Sequence, residues 1–290
     1  MACQRPYPGD CEVSTSMATN SLYSALLLTP PAPQYRWVTE DEYLNDILVR
    51  EHVDNGPLSP VRAVQTTLAP LINTWANGRL LTMHPSGSFM KGTAVFSGTD
   101  IDLFISLEQE TIESLQEIHD KLFKKLTDAG YSPKRQNVSL NIKVGFYSVD
   151  LVPAKRQNGI SLDHSIINRK TGTWSKTNIY THINTVIAGG RQRETQLLKL
   201  WRNQKSLDFP SFYLELVVIR ALESTFSFSI ADRIRTVFQY LEDSFVKARF
   251  VDPANTNNIL SDELTQATKQ QISSAASAAL VAPYWRDIIL

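Results

Sequence analysis

The sequence predicts an α+β half followed by an all-helical half in a chain of 290 residues. Strand patterns, with alternating or short continuous apolar runs, are found at Ile101–Leu107, 138–146 and 148–152, and none follows residue 153. From residue 181 onward the apolar residues recur at helical spacing. A hydrophobic content of 42% is enough for a large core. We therefore expect a mixed sheet with helices, and then a helical lobe.

The first elements follow from their boundary signals. Residues 1–35 are rich in Pro, Ser and Thr and are predicted to be irregular. Thr39 and Glu42 form a capping-box pattern that opens a helix to about residue 52. Pro60 opens a second helix that ends near Gly78. A short strand is predicted at 79–83.

The remaining elements come from periodicity and breakers. After Ile101–Leu107, a helix is predicted at 111–129 and a one-sided strand at 138–146, which Gly145 bends. A strand at 148–152 should stop at Pro153, and residues 155–180 are polar and are predicted to be irregular. The predicted C-terminal helices are 181–188, 191–204, 211–226, 229–246 and 262–280.

Charge and cysteine content exclude several classes of protein. The 29 basic residues balance the 29 acidic ones, whereas proteins that hold long nucleic acid usually carry a basic excess. Cys3 and Cys11, both in the irregular segment, indicate neither a disulfide framework nor a zinc cluster. The longest apolar runs are too short or too interrupted to span a membrane, and the N-terminus lacks a basic start, so we expect neither an anchor nor a signal peptide. The expected protein is cytoplasmic and makes no membrane contact.

Two carboxylates stand one residue apart where a buried strand begins. Asp100 and Asp102 lead into the apolar run of Ile101–Leu107. Side chains at i and i+2 of a strand point to the same face, so the two carboxylates lie side by side. Like charges at that distance repel unless cations lie between them. A lone Asp-x-Asp is more often a turn or a solvated edge, so the pair needs support from elsewhere.

That support comes from a third aspartate. Asp150 lies in the apolar stretch "YSVDLVPA", where a carboxylate is costly to bury unless it is paired or bound to metal. If its strand neighbours that of Asp100 and Asp102, the three carboxylates converge. Three carboxylates around two metal ions suit in-line phosphoryl or nucleotidyl transfer.

A glycine–serine turn precedes the aspartate pair. Gly87 allows backbone amides to approach a phosphate, and Ser88 offers a hydroxyl and an N–H at a predicted helix N-terminus. The spacing of Gly87 and Gly92 resembles a P-loop, but Thr93-Ala94 replaces the required Lys-Ser/Thr pair. We reject a P-loop on that ground and expect a different phosphate-binding turn.

Together these motifs resemble the polymerase-β-like nucleotidyltransferases. The segment "GTAVFSGTDIDLFISL" is similar to segments of archaeal CCA-adding enzymes, oligoadenylate synthases and bacterial cyclic GMP-AMP synthase-like (CD-NTase) enzymes, and "VDLVPA" resembles their third-carboxylate strand. The segments "THINTV", "LLKLWRNQK", "PSFYLELVV" and "DPANTNN" resemble the helical lobe of the bacterial group. The resemblance covers about residues 60–260.

The resemblance implies a role for each matching residue. Asp100 and Asp102 would bind two Mg²⁺ ions, with Mn²⁺ as an alternative, and Asp150 would bind the ion that activates the attacking hydroxyl. The implied nucleotide-binding residues are Gly87, Ser88, Lys199, Ser211 and Tyr213. Other interpretations stand beside these: a solvated helix lysine for Lys199, a helix cap for Ser211 and a core tyrosine for Tyr213.

The resemblance also implies an architecture and an activity. It divides the chain into an irregular segment (1–35), a catalytic lobe (36–180) and a helical lobe (181–290), with a cleft between the lobes. The implied enzyme is a template-independent nucleotidyltransferase that joins ATP, GTP or other nucleoside triphosphates into a cyclic oligonucleotide, such as the cyclic dinucleotide cyclic GMP-AMP. It would release pyrophosphate, act in anti-phage signalling with a regulatory protein partner from a defence operon, and need no long nucleic acid.

Two alternatives remain at this point. One is a terminal nucleotidyltransferase that adds nucleotides to RNA, of the CCA-adding or oligoadenylate synthase kind. The neutral charge argues against it, and 290 residues leave little room for tRNA-binding domains. The other is a non-catalytic nucleotide-binding module. The intact set of Ser88, Asp100, Asp102 and Asp150 argues against that.

Overall fold

The computed structural model describes residues 38–98 and 100–290. The predicted irregular segment 1–35 and both cysteines lie outside the described residues. The helices are α1 (Glu40–Arg50), α2 (Pro60–Ala76), α3 (Gly87–Lys91), α4 (Leu115–Asp128), α5 (Ile179–Gly189), α6 (Gln192–Gln204), α7 (Ser211–Ala221), α8 (Ile230–Asp243) and α9 (Gln266–Val281). The strands are β1 (Leu80–Pro85), β2 (Ile101–Leu107), β3 (Lys134–Arg135), β4 (Leu140–Val144), β5 (Tyr147–Arg156), β6 (His164–Asn168) and β7 (Thr173–Thr177).

The seven described strands form one mixed sheet. Its order is β1-β2-β5-β4-β3, with β6 paired to the end of β5 and β7 paired to β6. Strands β2 and β5 are parallel, and the other neighbours are antiparallel. In the parallel pair, Asp102 is directly opposite Asp150. The predicted convergence of these two strands is therefore confirmed, with no shift in register.

The sheet core explains why β2 is so apolar. Leu103 and Ile105 are fully buried, as is Leu151 on β5. They pack in one cluster with buried side chains of α2 and α4, such as Leu68 and Leu122. A strand buried on both faces reads as a continuous apolar run. Asp102, the second residue of this strand, is thereby held at the position that the backbone register sets, and Asp100 lies just before the strand.

A second core lies among the helices. Trp201, Val217, and Phe238 belong to this cluster, and so do Leu44 and Ile47 of α1. The capping box of Thr39 and Glu42 forms as predicted and starts α1. The first described helix therefore packs with the C-terminal helices, although the whole sheet region lies between them in sequence.

Three predicted elements are corrected. The region 155–180 is not irregular, because β6 and β7 form a hairpin there that extends the sheet. Pro153 does not end β5: pairing with β4 stops at Leu151 and pairing with β6 starts at Lys155, so Pro153 has no partner on that side. Helix α4 starts after Ser114 rather than at 111, because Ser114 and Glu117 form a capping box.

The other elements lie close to their predicted positions. Strand β2 has its predicted bounds, and Gly145 ends β4 in the turn of a hairpin, with a φ of +59°. Helix α7 is five residues shorter than predicted, and α9 begins at Gln266 after a short 3₁₀ helix, Leu260–Glu263. Among the described residues, no helix combines the length and apolar character needed to cross a bilayer.

Candidate active site

A cleft of about 520 Å³ lies between the sheet and the helices α5, α6 and α7. It gathers polar groups from parts of the chain that are more than 100 residues apart. Seven of the eight predicted site residues line it: Gly87, Ser88, Asp100, Asp102, Asp150, Lys199 and Ser211. A concave site with convergent charged groups is the usual setting for ligand binding and catalysis.

The carboxylate set (Asp100, Asp102 and Asp150) occupies the sheet side of this cleft. Burial raises the pKa of Asp102 to about 7, and the charges of Asp150 and Asp100 add to the rise, whereas Lys91 and Lys199 oppose it. Asp100 is exposed just before β2 begins. The three carboxylates therefore act on one another electrostatically, as their spacing predicts.

Asp150 is held by a neighbour on the antiparallel strand β4. Asn141 lies directly opposite it, and Asn141 Nδ2 donates to Asp150 Oδ1 at 2.7 Å and to Ser148 Oγ at 2.8 Å. Burial raises the pKa of Asp150 and the charge of Asp100 adds to this, although the bond from Asn141 lowers it. The amide fixes the carboxylate without supplying a positive charge.

The donor chemistry of the carboxylate set fits a hard divalent cation. Oxygen ligands are what Mg²⁺ and Mn²⁺ prefer. Burial and the neighbouring carboxylates raise the pKa of Asp102 and Asp150, so a bound cation would stabilise the ionised carboxylates. In residues 38–98 and 100–290, however, no three acidic, histidine or cysteine side chains are already close enough to hold an ion. The carboxylates fit the cation by charge and donor type.

The glycine–serine turn is pressed against Asp102. Gly87 has a φ of +55°, and a Cβ built there would lie 1.7 Å from Asp102 Oδ2. Both the left-handed backbone and the missing space require glycine. Ser86 N donates to the backbone oxygen of Asp102 at 2.8 Å, which ties the turn to β2. Ser88 follows in α3, the five-residue helix that begins at Gly87.

Lys199 belongs to a buried cluster on the helical side of the cleft. We call Lys91, Lys199 and Glu215 the lysine–glutamate cluster. Glu215 Oε1 accepts from Lys199 Nζ at 2.7 Å, and Glu215 Oε2 accepts from Lys91 Nζ at 2.9 Å. Thr93 Oγ1 also donates to Glu215 Oε1, at 2.6 Å. The buried and paired Lys199 is thus not a solvated helix lysine.

Ser211 lines the cleft beside a third cationic residue. Arg202 Nη1 donates to Ser211 Oγ at 2.9 Å and to the backbone oxygen of Phe209 at 2.8 Å. Ser211 is the first residue of α7 and makes no capping bond; Pro210 occupies the cap position. The alternative of a serine cap is therefore wrong for this residue.

Tyr213 is the one predicted site residue that the structure places elsewhere. Its side chain is fully buried in the helical core, where it packs against Phe209, Phe245 and Phe250. Its neighbour Phe212 lines the cleft instead. Successive helical residues differ by about 100° in direction, so one position separates the cleft from the core.

Most of the polar partners on the helical side of the cleft were not predicted from the sequence. Glu215 lies in "YLELVV", and a carboxylate in an apolar helix raises the same question that Asp150 raised in its strand. Lys91 and Thr93, which answer that question, lie more than 120 residues away along the chain. His182 was also missed; it lines the cleft, lies 4.1 Å from Phe212 between ring centroids and bonds to Asp252 at 2.7 Å.

Comparisons with known proteins bear on this site and fold. No family profile matches the chain. The curated cyclic AMP-AMP-AMP synthase of Escherichia coli (strain MS 115-1) is 24% identical over 225 residues, which are 69% of this chain and 70% of that protein. The structure of E. coli MS115-1 CdnC with ATP is 20% identical and superposes with a TM-score of 0.70, covering 86% of this chain and 97% of the other.

A more distant likeness is to RNA-tailing enzymes. The Cid1 poly(U) polymerase with Mg 3'-dATP bound is 12% identical, with a TM-score of 0.60 over 83% of this chain and 92% of the other. The predicted α+β nucleotidyltransferase fold, with its mixed sheet and helices, is confirmed. The predicted resemblance to the bacterial cyclic GMP-AMP synthase-like (CD-NTase) nucleotidyltransferases is confirmed as well, and the chain shares their fold.

Proposed function

We propose that this protein is a nucleotidyltransferase that joins nucleoside triphosphates into a cyclic oligonucleotide. The observation that carries the proposal is the register of β2 and β5. It sets Asp102 opposite Asp150 in a cleft that Gly87, Ser88 and Lys199 also line. Acidic groups for the reacting phosphate and a cationic cluster for the rest of the triphosphate are what nucleotidyl transfer needs. Relatives with this fold include a cyclic trinucleotide synthase.

Different residues of the chain bind different parts of the triphosphate. The Gly87–Ser88 turn holds a phosphate with backbone and hydroxyl donors, and Lys199 and Ser211 hold the part that leaves. The ribose hydroxyl of the acceptor nucleotide forms a bond to the α-phosphorus of the donor, and the bond from that phosphorus to the bridging oxygen breaks. Pyrophosphate departs, and the proton of the hydroxyl passes to Asp150. A second or third round in the same cleft closes the ring.

Asp100, Asp102 and Asp150 are the residues that would hold two Mg²⁺ ions, or Mn²⁺. When bound, such ions neutralise the charge that develops on the phosphate and lower the pKa of the attacking hydroxyl. Asp102 and Asp150 lie on paired strands and Asp100 directly precedes β2, so we expect the loss of one carboxylate to leave the fold intact. This separates metal binding from folding.

The product and its role are the finer part of the proposal. Cyclic GMP-AMP is the expected dinucleotide, and the name of the E. coli relative adds a cyclic trinucleotide of adenosine. We propose a signalling role in anti-phage defence, in the cytoplasm. A regulatory protein partner is part of this proposal, because one solved structure of CdnC is a complex with HORMA-deltaN.

The test is the product itself. Purified protein is incubated with ATP, GTP, CTP and UTP, singly and mixed, with MgCl₂, and the products are identified by mass spectrometry. We expect a cyclic di- or trinucleotide and pyrophosphate, with none formed in EDTA. Linear products only, or no turnover with any mixture and with a candidate partner protein from the same operon, would contradict the proposal.

Terminal addition of nucleotides to RNA is the second candidate, and the likeness to the Cid1 poly(U) polymerase favours it. The same reaction with added tRNA, duplex RNA or DNA separates the two. A small triphosphate makes few contacts, so turnover should respond weakly to salt and not to nucleic acid. An enzyme that neutralises six to ten phosphates loses about 10³–10⁵ in affinity between 50 and 200 mM salt. Label on added RNA and such a steep loss would favour the second candidate.

A further inference from the structure

The lysine–glutamate cluster has an unusual charge balance for a buried group. One carboxylate serves two ammonium groups, each at one of its oxygens. Lys91 is 8% exposed, Lys199 is 3% exposed and Glu215 is 1% exposed. Burial by itself would raise the pKa of Glu215, but the two lysines hold it at about 2. Burial lowers the pKa of Lys199, which the charge of Glu215 and its hydrogen bond oppose. The geometry, with one carboxylate oxygen at each ammonium group, fits an ionised cluster with one positive charge more than negative.

The position of this surplus charge decides what it can do. All three residues line the cleft, together with Arg202, which adds a further cation. A buried charge without a partner is costly, so an anion that enters the cleft here relieves a cost that the free protein bears. The triphosphate of a nucleotide, and the pyrophosphate that it releases, are the anions of the proposed reaction. Lys91 would then be a second phosphate-binding lysine beside Lys199.

The cluster also joins the two halves of the molecule. Lys91 ends α3, which follows β1 of the sheet, whereas Lys199 lies on α6 and Glu215 on α7. Thr93 adds two bonds across this junction: its hydroxyl accepts from Lys199 Nζ at 2.8 Å and donates to Glu215. Lys91 Nζ also lies 4.5 Å from the ring centre of Phe212. These contacts therefore fix the position and orientation of each ammonium group in the cleft.

We propose that Glu215 is a positioning residue for the triphosphate: it holds Lys91 and Lys199 side by side across the junction, so that their surplus positive charge faces the phosphates. Its two effects oppose each other. Its negative charge weakens the attraction for phosphate, and its geometry aims the lysines. The inference rests on the proposed function for the identity of the ligand.

Glu215→Gln separates these two effects. The amide keeps the shape, removes the opposing charge and can accept from only one lysine. We expect the variant to bind magnesium pyrophosphate about tenfold more tightly, since one opposing charge a few ångströms away has gone. We expect its kcat to fall about tenfold or more, because the lysines lose their fixed direction. Loss of structure alone would lower kcat without tightening binding.

Lys91→Gln, and the double variant Lys91→Gln with Glu215→Gln, complete a double-mutant cycle. Lys91→Gln leaves Lys199 and Glu215 neutral as a pair, so pyrophosphate should bind about tenfold more weakly. The double variant again carries one surplus positive charge, and its affinity should return to within about threefold of the parent. Binding is measured by calorimetry at fixed excess MgCl₂, with melting curves to confirm that each variant is folded.

Glu194→Gln is the matched control. Glu194 is also buried in the helical half and pairs with Arg233, but it does not line the cleft. This variant should melt at a lower temperature and keep the parent's affinity for pyrophosphate. An unchanged affinity in Glu215→Gln, or a double variant that binds as weakly as Lys91→Gln, overturns the proposal; if Glu215→Gln does not fold, an unchanged affinity in Lys91→Gln overturns it.

The pyrophosphate assay does not depend on turnover, so the two proposals fail separately. A parent protein that makes a cyclic product but binds pyrophosphate equally in all variants rules out the role of Glu215 and keeps the proposed function. If the parent makes no cyclic product, even with the candidate partner protein, but the variants bind pyrophosphate as their charges predict, the role of Glu215 is supported and the proposed function is ruled out. In that case the cleft binds phosphates for a different reaction.

Discussion

The carboxylate set and the lysine–glutamate cluster line the same cleft but are held in place by different means. Asp102 and Asp150 are fixed by the register of two parallel strands, and their charges repel. Lys91, Lys199 and Glu215 are fixed by one another, because opposite charges meet across the junction between the halves. Repulsion within the carboxylate set lowers the free energy of unfolding. In the lysine–glutamate cluster, attraction between opposite charges compensates for the cost of burying them. Removing a charge from the carboxylate set should therefore stabilise the protein, whereas removing one from the lysine–glutamate cluster should destabilise it.

The largest effect is expected on turnover. Asp100→Ala with Asp102→Ala should lower activity by about a thousandfold or more, because the transition state would lose the cations that we propose these carboxylates hold. Without metal the variant should be as stable as the parent or more stable, since repulsion is relieved. Initial rates of pyrophosphate release and a melting curve in EDTA measure both.

The control for this variant is Glu108→Ala with Glu110→Ala. These residues have the same spacing at the other end of β2 and lie outside the cleft. Glu110 is exposed, whereas Glu108 is partly buried and pairs with Arg79 near the surface. The variant should therefore keep activity within about twofold, at a small cost in stability. Residual product above a few per cent of the parent's in the aspartate variant would remove the pair from the mechanism.

The next effect is on stabilisation by ligand. A nucleoside triphosphate with Mg²⁺ at a hundredfold excess over Kd should stabilise the parent by about 2.7 kcal/mol. Asp150→Asn and Lys199→Ala should each lose most of this gain. Lys205→Ala, an exposed lysine just after the same helix, should keep it. Equal melting shifts in all variants would argue that neither residue touches the nucleotide.

The two groups should also respond to pH in opposite directions. The pKa of Asp102 is about 7 in the folded protein and 3.8 when unperturbed, so its ionisation between these values favours unfolding. Metal-free stability should fall as pH rises from about 4 to 7, and Asp102→Asn should remove this fall. At pH 8 the variant should melt about 4 °C higher or more, since 1 kcal/mol corresponds to about 2–4 °C in chains of roughly this size.

Glu215 should change the pH dependence of stability in the opposite direction to Asp102. Its folded pKa of about 2 lies below the unperturbed 4.5, so its contribution is present above about pH 4.5 and is lost as pH falls toward 2. Glu215→Gln should therefore melt below the parent at pH 8, where Asp102→Asn melts above it. Thermal melts of both variants from pH 4 to 8 in EDTA test the pair. A shift of the same sign in both would contradict the contrast between the two groups.

The smallest effect separates two neighbouring aromatic residues. Tyr213 Oη is buried and has no hydrogen-bond partner within the described part of the chain. Tyr213→Phe should therefore change stability by about 1 kcal/mol or less and leave activity unchanged. Phe212→Ala should weaken nucleotide binding, because the ring lines the cleft and contacts Lys91. Kinetics with ATP measure both. A loss of nucleotide affinity in Tyr213→Phe would restore its predicted role.

The same contrast explains what the sequence could predict. Asp100, Asp102 and Asp150 were predicted because strand geometry is local: spacing of two sets a shared face, and an apolar setting marks a buried carboxylate. Glu215 and Lys91 were not predicted, because no local sequence pattern indicates that residues so far apart along the chain form a pair. Phe212 and Tyr213 differ by one helical step, which periodicity alone does not resolve in a short helix.

The missed hairpin β6–β7 has a related cause. It lies at the end of the sheet, where one side of each strand faces outward and few apolar residues are needed. Trp174 is exposed, and His164 and Ile167 are the buried side chains of β6. Such a weak alternation does not stand out from a polar loop. The fold around the site was thus predictable where strands are buried, and not at the margin of the sheet.

The contact between Gly87 and Asp102 constrains how these two positions can evolve. Because a Cβ at Gly87 would occupy the place of the Asp102 carboxylate, the two positions cannot drift independently while the enzyme is active. A lineage that abandons catalysis and shortens Asp102 frees that volume, and only the left-handed backbone then still favours glycine. Asparagine or aspartate, which tolerate that backbone, become admissible there. Paired replacement at 87 and 102 would therefore mark a descendant that has kept the fold and given up the chemistry.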